Sequence, residues 1–111
     1  YTFESMLLPV FINIVNNAIY WVGFAEDKKI RIDVSDNKTL IMNSGPKMTH
    51  SELEKCFDIF YTKKPDGRGI GLFLAKRNLN AIDFDIYATT DEKLNQLNGS
   101  CFVIVNLHGE D

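Results

Sequence analysis

Glycines at positions 67, 69 and 71 stand directly before LFLAKRNL, a run whose apolar residues recur at helical spacing. Glycine lets the backbone approach a ligand closely, and a helix that begins in such a loop aims free N–H groups and its dipole at an anion. The chemistry on offer is phosphate binding. Two familiar phosphate loops fail on spacing: a dinucleotide fingerprint needs glycine where the chain has Leu72, and the Gly-Lys-Ser/Thr of a P-loop occurs nowhere. What remains, Gly67-Arg68-Gly69-Ile70-Gly71-Leu72, fits either a phosphate cradle or a glycine-rich helix entry that holds nothing. Lys63, Lys64 and Arg68 lie beside it and would suit a polyphosphate, although a solvated basic loop has the same composition.

A second group of polar residues sits where helices rarely carry them. Asn13, Asn16 and Asn17 interrupt an otherwise apolar helical pattern, and Asn is a poor helix former. Asn13 and Asn17 are four apart and therefore share one face, as a solvated stripe or as two amides that hold a metal-bound polyphosphate. A third candidate is Asn43-Ser44-Gly45-Pro46, a turn at a strand end, where ligand sites often lie.

The elements that must position these residues can be read in order. Phe11, Ile14, Val15, Ala18 and Val22 predict an amphipathic helix from Pro9 to about Gly23, with Pro9 as its first residue. KIRIDVS predicts a strand with Ile30, Ile32 and Val34 inward; a turn over Ser35 to Lys38 and the strand TLIMNSG complete an antiparallel hairpin. Thr49 and Glu52 form a capping box for a short helix. A further helix runs from Gly69 to about Asn80, then Phe84, Ile86 and Ala88 alternate as a strand. Thr90 to Asn98 reads as polar turn, and the β-branched SCFVIVNL as a last strand in the middle of the sheet. The sum is one α/β domain over residues 1–111, a two-layer sandwich with helices on one face of a mixed, mostly antiparallel sheet.

Composition narrows the partners. A net charge of −3 gives no global attraction to nucleic acid or anionic lipid, so any anion site must be local. No apolar run approaches the ~18 residues of a membrane span, no secretory signal opens the chain, and a cytoplasmic domain without direct membrane contact is expected. Cys56 and Cys101 lie in apolar runs outside any C-x-x-C and read as buried thiols, and His50 and His108 lack ligand-spaced neighbours. The chain opens inside a pattern at Tyr1, which suggests a piece of a longer protein.

Taken together, the motifs resemble those of the GHKL superfamily of Bergerat-fold ATP-binding domains, most closely the catalytic and ATP-binding domain of sensor histidine kinases. Asn13-Ile14-Val15-Asn16-Asn17-Ala18 resembles the family's N-box, Cys56 to Lys64 its F-box, and Gly67 to Leu72 its second glycine box. Gly99-Ser100-Cys101-Phe102 is similar to its last one, and the four motifs stand in family order.

The resemblance implies that Asn17, with Asn13, holds Mg²⁺ and the phosphates of ATP, and that Asp58 to Arg68 forms a short lid. Lys64 and Arg68 would face phosphate, the Gly67, Gly69 and Gly71 backbone would close over it with Leu72, and Asn43 and Gly45 would meet the adenine. Hydrolysing relatives carry Glu at the position of Asn13, and an amide cannot serve as that base. Phosphoryl transfer is thus implied, to a histidine on a helical dimerisation and phospho-acceptor domain that this chain lacks, with a response regulator as the further partner and a parent protein that can be membrane-anchored. Three positions depart from the family: in the string Asn43-Ser44-Gly45-Pro46-Lys47, which matches its first glycine box, Asn43 replaces the adenine-reading Asp and Lys47 a second glycine, and Tyr20 replaces a frequent basic residue. The alternative implied by Asn43 is a degenerate module that binds nucleotide weakly or not at all and serves as a scaffold.

Overall fold

The computed structural model describes residues 2–35, 37–62, 71–95, 97 and 99–107, with side chains in the first helix from residue 7 onward. Helix α1 spans Thr2–Val22, and Val10, Ile14, Ala18 and Val22, each four apart, are all buried. It starts earlier than Pro9, which lies inside it and not at its first turn. An internal proline forfeits one backbone hydrogen bond. Leu7, Val10 and Phe11 all pack on the core around it, so burial on both sides of the proline carries the helix through.

Strands β1 (Ile30–Val34) and β2 (Lys38–Asn43) form the expected hairpin, with Ile30 opposite Asn43 and Val34 opposite Thr39. Its turn is closed by the Ser35 N–H, which donates to the Lys38 carbonyl at 2.8 Å. Helix α2 (His50–Lys55) starts at the capping box: Thr49 Oγ1 accepts from the Glu52 N–H at 3.1 Å and Glu52 Oε1 from the Thr49 N–H at 2.8 Å. Helix α3 spans Gly71–Ala81, followed by β3 (Phe84–Thr89) and β4 (Cys101–Asn106).

The sheet order is β1-β2-β4-β3, and each of these pairings is antiparallel rather than mixed. The helical connection from β2 to β3 does join parallel strands, but β4 inserts between them and opposes both. β4 is central, as its apolar run requires, with Cys101 through Ile104 all buried.

Helices α1 and α3 cover one face of the sheet, where Ile14, Ala18, Ala75 and Leu79 meet Ile41, Ile86, Phe102 and Ile104. α1 packs mainly over β2 and only marginally over β1. Consequently Ile30 reaches the core, whereas Ile32 and Val34, expected inward, are 40% and 75% exposed. The second face is covered by the β3–β4 connection. Leu94 and Leu97 of that segment pack with Leu40 and Val105 around Met42, Cys101 and Val103, so it is more than a polar turn.

Candidate nucleotide site

Asn13 and Asn17 lie on one flank of α1, Asn13 exposed and Asn17 half-buried. The start of α3 comes up beside them. A β-carbon on Gly71 would stand 3.8 Å from Asn13 Oδ1 and 3.9 Å from its Cγ, which is ordinary contact. The described start of α3 therefore lies next to the Asn13 amide. Leu72, the next residue, is half-buried and packs against the main core, so it holds α3 down on the sheet. Lys64, Gly67, Arg68 and Gly69 lie outside the described residues.

One helical turn beyond Asn17, the same flank of α1 meets the turn after β2. A side chain on Gly45 would stand 2.7 Å from the Trp21 carbonyl oxygen and 2.9 Å from its carbon, and a backbone atom cannot swing aside. Gly45 is thus fixed by the approach of this turn to α1. The Asn43 side chain closes the turn from within: Oδ1 accepts from the Gly45 N–H at 2.9 Å, and the residue is 2% exposed. Asn13, Asn17 and Trp21 follow one another on this flank over eight residues, roughly 12 Å of helix. The groups suited to an anion stand at one end of that line and the buried Asn43 turn at the other.

The strand end is enclosed by residues that the sequence did not single out as a site. The Asn43 N–H donates to the Ser100 carbonyl at 3.0 Å, and Ser100 Oγ accepts from the Met48 N–H at 3.0 Å. Asn95 Nδ2 donates to the Asn43 carbonyl at 3.3 Å. A β-carbon on Gly99 would collide with that same carbonyl oxygen and lie 2.7 Å from the Gly45 oxygen. The last glycine box was a signal for Gly99 and Ser100; nothing local marks Asn95.

Other candidates fall away or stand apart. His50 is exposed and pairs with Glu54 at 3.2 Å across one helical turn, a surface contact. Burial pushes the Cys56 thiol up to about 12 and the Cys101 thiol up to about 11, so neither is a nucleophile at neutral pH. Among the described residues no group of three His, Cys, Asp or Glu could hold a metal, and no helix is long and apolar enough to cross a membrane. A cleft of about 550 Å³ lies along Phe24, Asp27 and Leu97 and takes in Ser44, Gly45 and Pro46 of the turn after β2.

Residues 3–110 match the family of histidine kinase-, DNA gyrase B- and HSP90-like ATPases. The chain belongs to that family. It is 29% identical over 99 residues to the sensor histidine kinase WalK of Bacillus subtilis (strain 168), covering 80% of this chain and only 16% of WalK. The fold matches the nucleotide-free catalytic domain of the histidine kinase ThkA with a TM-score of 0.72 at 28% identity, over 93% of this chain and 67% of that one. It matches a mycobacterial sensor histidine kinase, MprB, with the same TM-score at 23% identity, over 92% of this chain and 70% of that one. The GHKL resemblance and the α/β architecture read from the motifs are thereby borne out, and the catalytic ATP-binding domain of a sensor histidine kinase is the role this chain fits.

Proposed function

We propose that this domain binds Mg-ATP along the Asn13–Asn17 flank of α1 and presents the γ-phosphate to a histidine on a separate helical domain of its parent protein. The observation that carries this reading is the closeness of Asn13 to Gly71, which sets an uncharged amide beside the described start of α3. That helix end favours anionic phosphate. An amide beside it orients and donates but takes no proton, so water is not activated there and the phosphoryl group is kept for another acceptor.

The donor set suits magnesium. Amide carbonyls are hard oxygen donors, and Mg²⁺ is commonly held by one or two protein oxygens together with substrate phosphates and water. Asn17, with Asn13, would hold it; when bound it would neutralise charge on the phosphates. The buried Asn43 and Gly45 would meet the base, while Lys64 and Arg68 would add charge at the phosphate end. The work of the domain is then positioning and charge neutralisation, and the response regulator receives the phosphoryl group afterwards.

The test is incubation with γ-labelled ATP and Mg²⁺. This chain alone should stay unlabelled, and addition of the parent's helical domain should yield an acid-labile phosphohistidine on that domain. Stable phosphohistidine on His50 or His108 of the chain alone, or steady hydrolysis without an acceptor, would contradict the proposal.

A second reading rests on Asn43. An amide in place of the family's carboxylate favours a module that has lost productive use of nucleotide and retains the fold for binding. Titration with a fluorescent ATP analogue, with and without Mg²⁺, separates the two: absence of Mg-dependent binding selects the scaffold.

A further inference from the structure

Asn43, Asn95 and Ser100 are the buried polar residues among those described, and all three meet at one strand end. Asn95 is the one with no counterpart in the motifs. It comes from the β3–β4 connection, flanked by Leu94 and Leu97, which pack on the second face of the sheet. Both ends of its amide are engaged: Oδ1 accepts from the Leu97 N–H at 2.8 Å, and Nδ2 donates to the Asn43 carbonyl at 3.3 Å. A leucine would fill such a position at lower desolvation cost, and these two hydrogen bonds are what offset the burial of the amide.

The carbonyl it holds belongs to the peptide between Asn43 and Ser44. That peptide sets the direction of the turn whose next N–H, on Gly45, is held by Asn43 Oδ1. From its other side Gly99 presses on the same carbonyl oxygen with no β-carbon between them. Rotation of this peptide would swing the Asn43 amide, because the side chain and the turn form one hydrogen-bonded ring.

We infer that Asn95 is a positioning residue for nucleotide recognition, fixing through the Asn43 carbonyl the angle at which the Asn43 side chain meets the purine. The inference rests on the ATP reading above. It makes the β3–β4 connection part of the base site without contact to the ligand.

Calorimetric titration of this chain with ADP and GDP tests it. The unsubstituted chain comes first: if it does not bind ADP, the ATP reading itself fails and takes this inference with it. Asn95→Asp keeps the acceptor for Leu97 and replaces the donor to Asn43 with an acceptor. Its ADP dissociation constant should rise roughly three- to tenfold, the loss of one neutral hydrogen bond, and its preference for ADP over GDP should narrow. Leu94→Ala loosens the same loop without touching Asn43, and should lower the melting temperature with ADP affinity unchanged. An unchanged ADP affinity in Asn95→Asp, or an equal affinity loss in Leu94→Ala, overturns the inference. Should Asn95→Asp fail to fold, Asn95→Ala is measured against the same criteria.

Discussion

A β-carbon on Gly71 would lie 3.8 Å from Asn13 Oδ1, so the residue that opens α3 and the first amide of the α1 flank are direct neighbours. Any anion at the α3 N-terminus would therefore meet α1 amides as well. Asn17 lies one turn further along and is half-buried; on the function proposed above it would hold the metal. Asn17→Ala is expected to abolish Mg-dependent binding of an ATP analogue while the fold survives. Replacing Asn by Ala within a helix is itself favourable by about 0.5 kcal/mol, so the melting temperature should not fall by more than a few degrees. Equal affinity in both proteins with Mg²⁺ present would return Asn13, Asn16 and Asn17 to a solvated stripe.

Gly99 should be far less replaceable than Gly71. A β-carbon at 99 would overlap the Asn43 carbonyl oxygen and stand 2.9 Å from Asn43 Oδ1, and the first of these is backbone that must move. Overpacking of this kind costs roughly 1–3 kcal/mol. Gly99→Ala is expected to lower thermal stability by several degrees and to weaken ADP binding, because the atoms displaced are those of Asn43. Gly71→Ala meets only ordinary contacts among the described residues and should melt no lower than the parent. Matched melts of the two variants decide the point.

Acid sensitivity should trace in part to Asp85. Burial alone would raise its carboxyl; the hydrogen bond from Lys76 Nζ at 2.7 Å, the Ile86 N–H and the Lys76 charge outweigh this and hold it below its ordinary 3.8. A carboxyl depressed in the folded state stabilises the fold above its unfolded value and loses that contribution as pH falls through the folded one. The window is thus from about 4 downward. Both side chains are more than a third exposed, which limits the pair to under ~1 kcal/mol. In urea melts, Asp85→Asn should be slightly weaker at pH 7 and show a shallower loss of stability below pH 4. A parallel pH profile for the two proteins would assign the acid response to other carboxyls.

The central strand was legible because both faces of Cys101 to Ile104 are apolar, and a strand with two apolar faces belongs in the middle of a sheet. Ile32 and Val34 show the limit of the same logic. Alternation tells which residues share a face, but what covers the face depends on where α1 lies, and α1 lies over β2. Leu94 and Leu97 were visible within Thr90 to Asn98, yet the surrounding polar residues made the segment read as turn. Within the site, Asn13 and Asn17 stood out because asparagine is costly in mid-helix. Asn95 did not, since an asparagine in a loop is unremarkable until its amide is seen against a carbonyl 52 residues away.

Asn43→Asp is expected to strengthen ADP and ATP binding. The Asn43 amide has one end turned to Gly45, with Oδ1 accepting that N–H at 2.9 Å; its other end is Nδ2, a donor. The adenine amino group is also a donor, so the amide meets it only through the second lone pair of Oδ1. A carboxylate keeps the Gly45 bond on one oxygen and offers the other to adenine. Hydrogen bonds to charged groups contribute ~1.5–3 kcal/mol against ~0.5–1.5 for neutral ones, a gain of about 1 kcal/mol, or roughly five- to tenfold in the dissociation constant. The position is 2% exposed, so the nucleotide-free variant must carry a buried charge with fewer donors and should melt below the parent. Saturating ADP should recover more of the melting temperature in Asn43→Asp than in the parent protein. GDP should gain nothing, because guanine presents a carbonyl where adenine has its amino group and the carboxylate would repel it. Calorimetric titration of both proteins with ADP and GDP measures each part; an ADP affinity that is unchanged or lower in Asn43→Asp would remove Asn43 as the residue that reads the base.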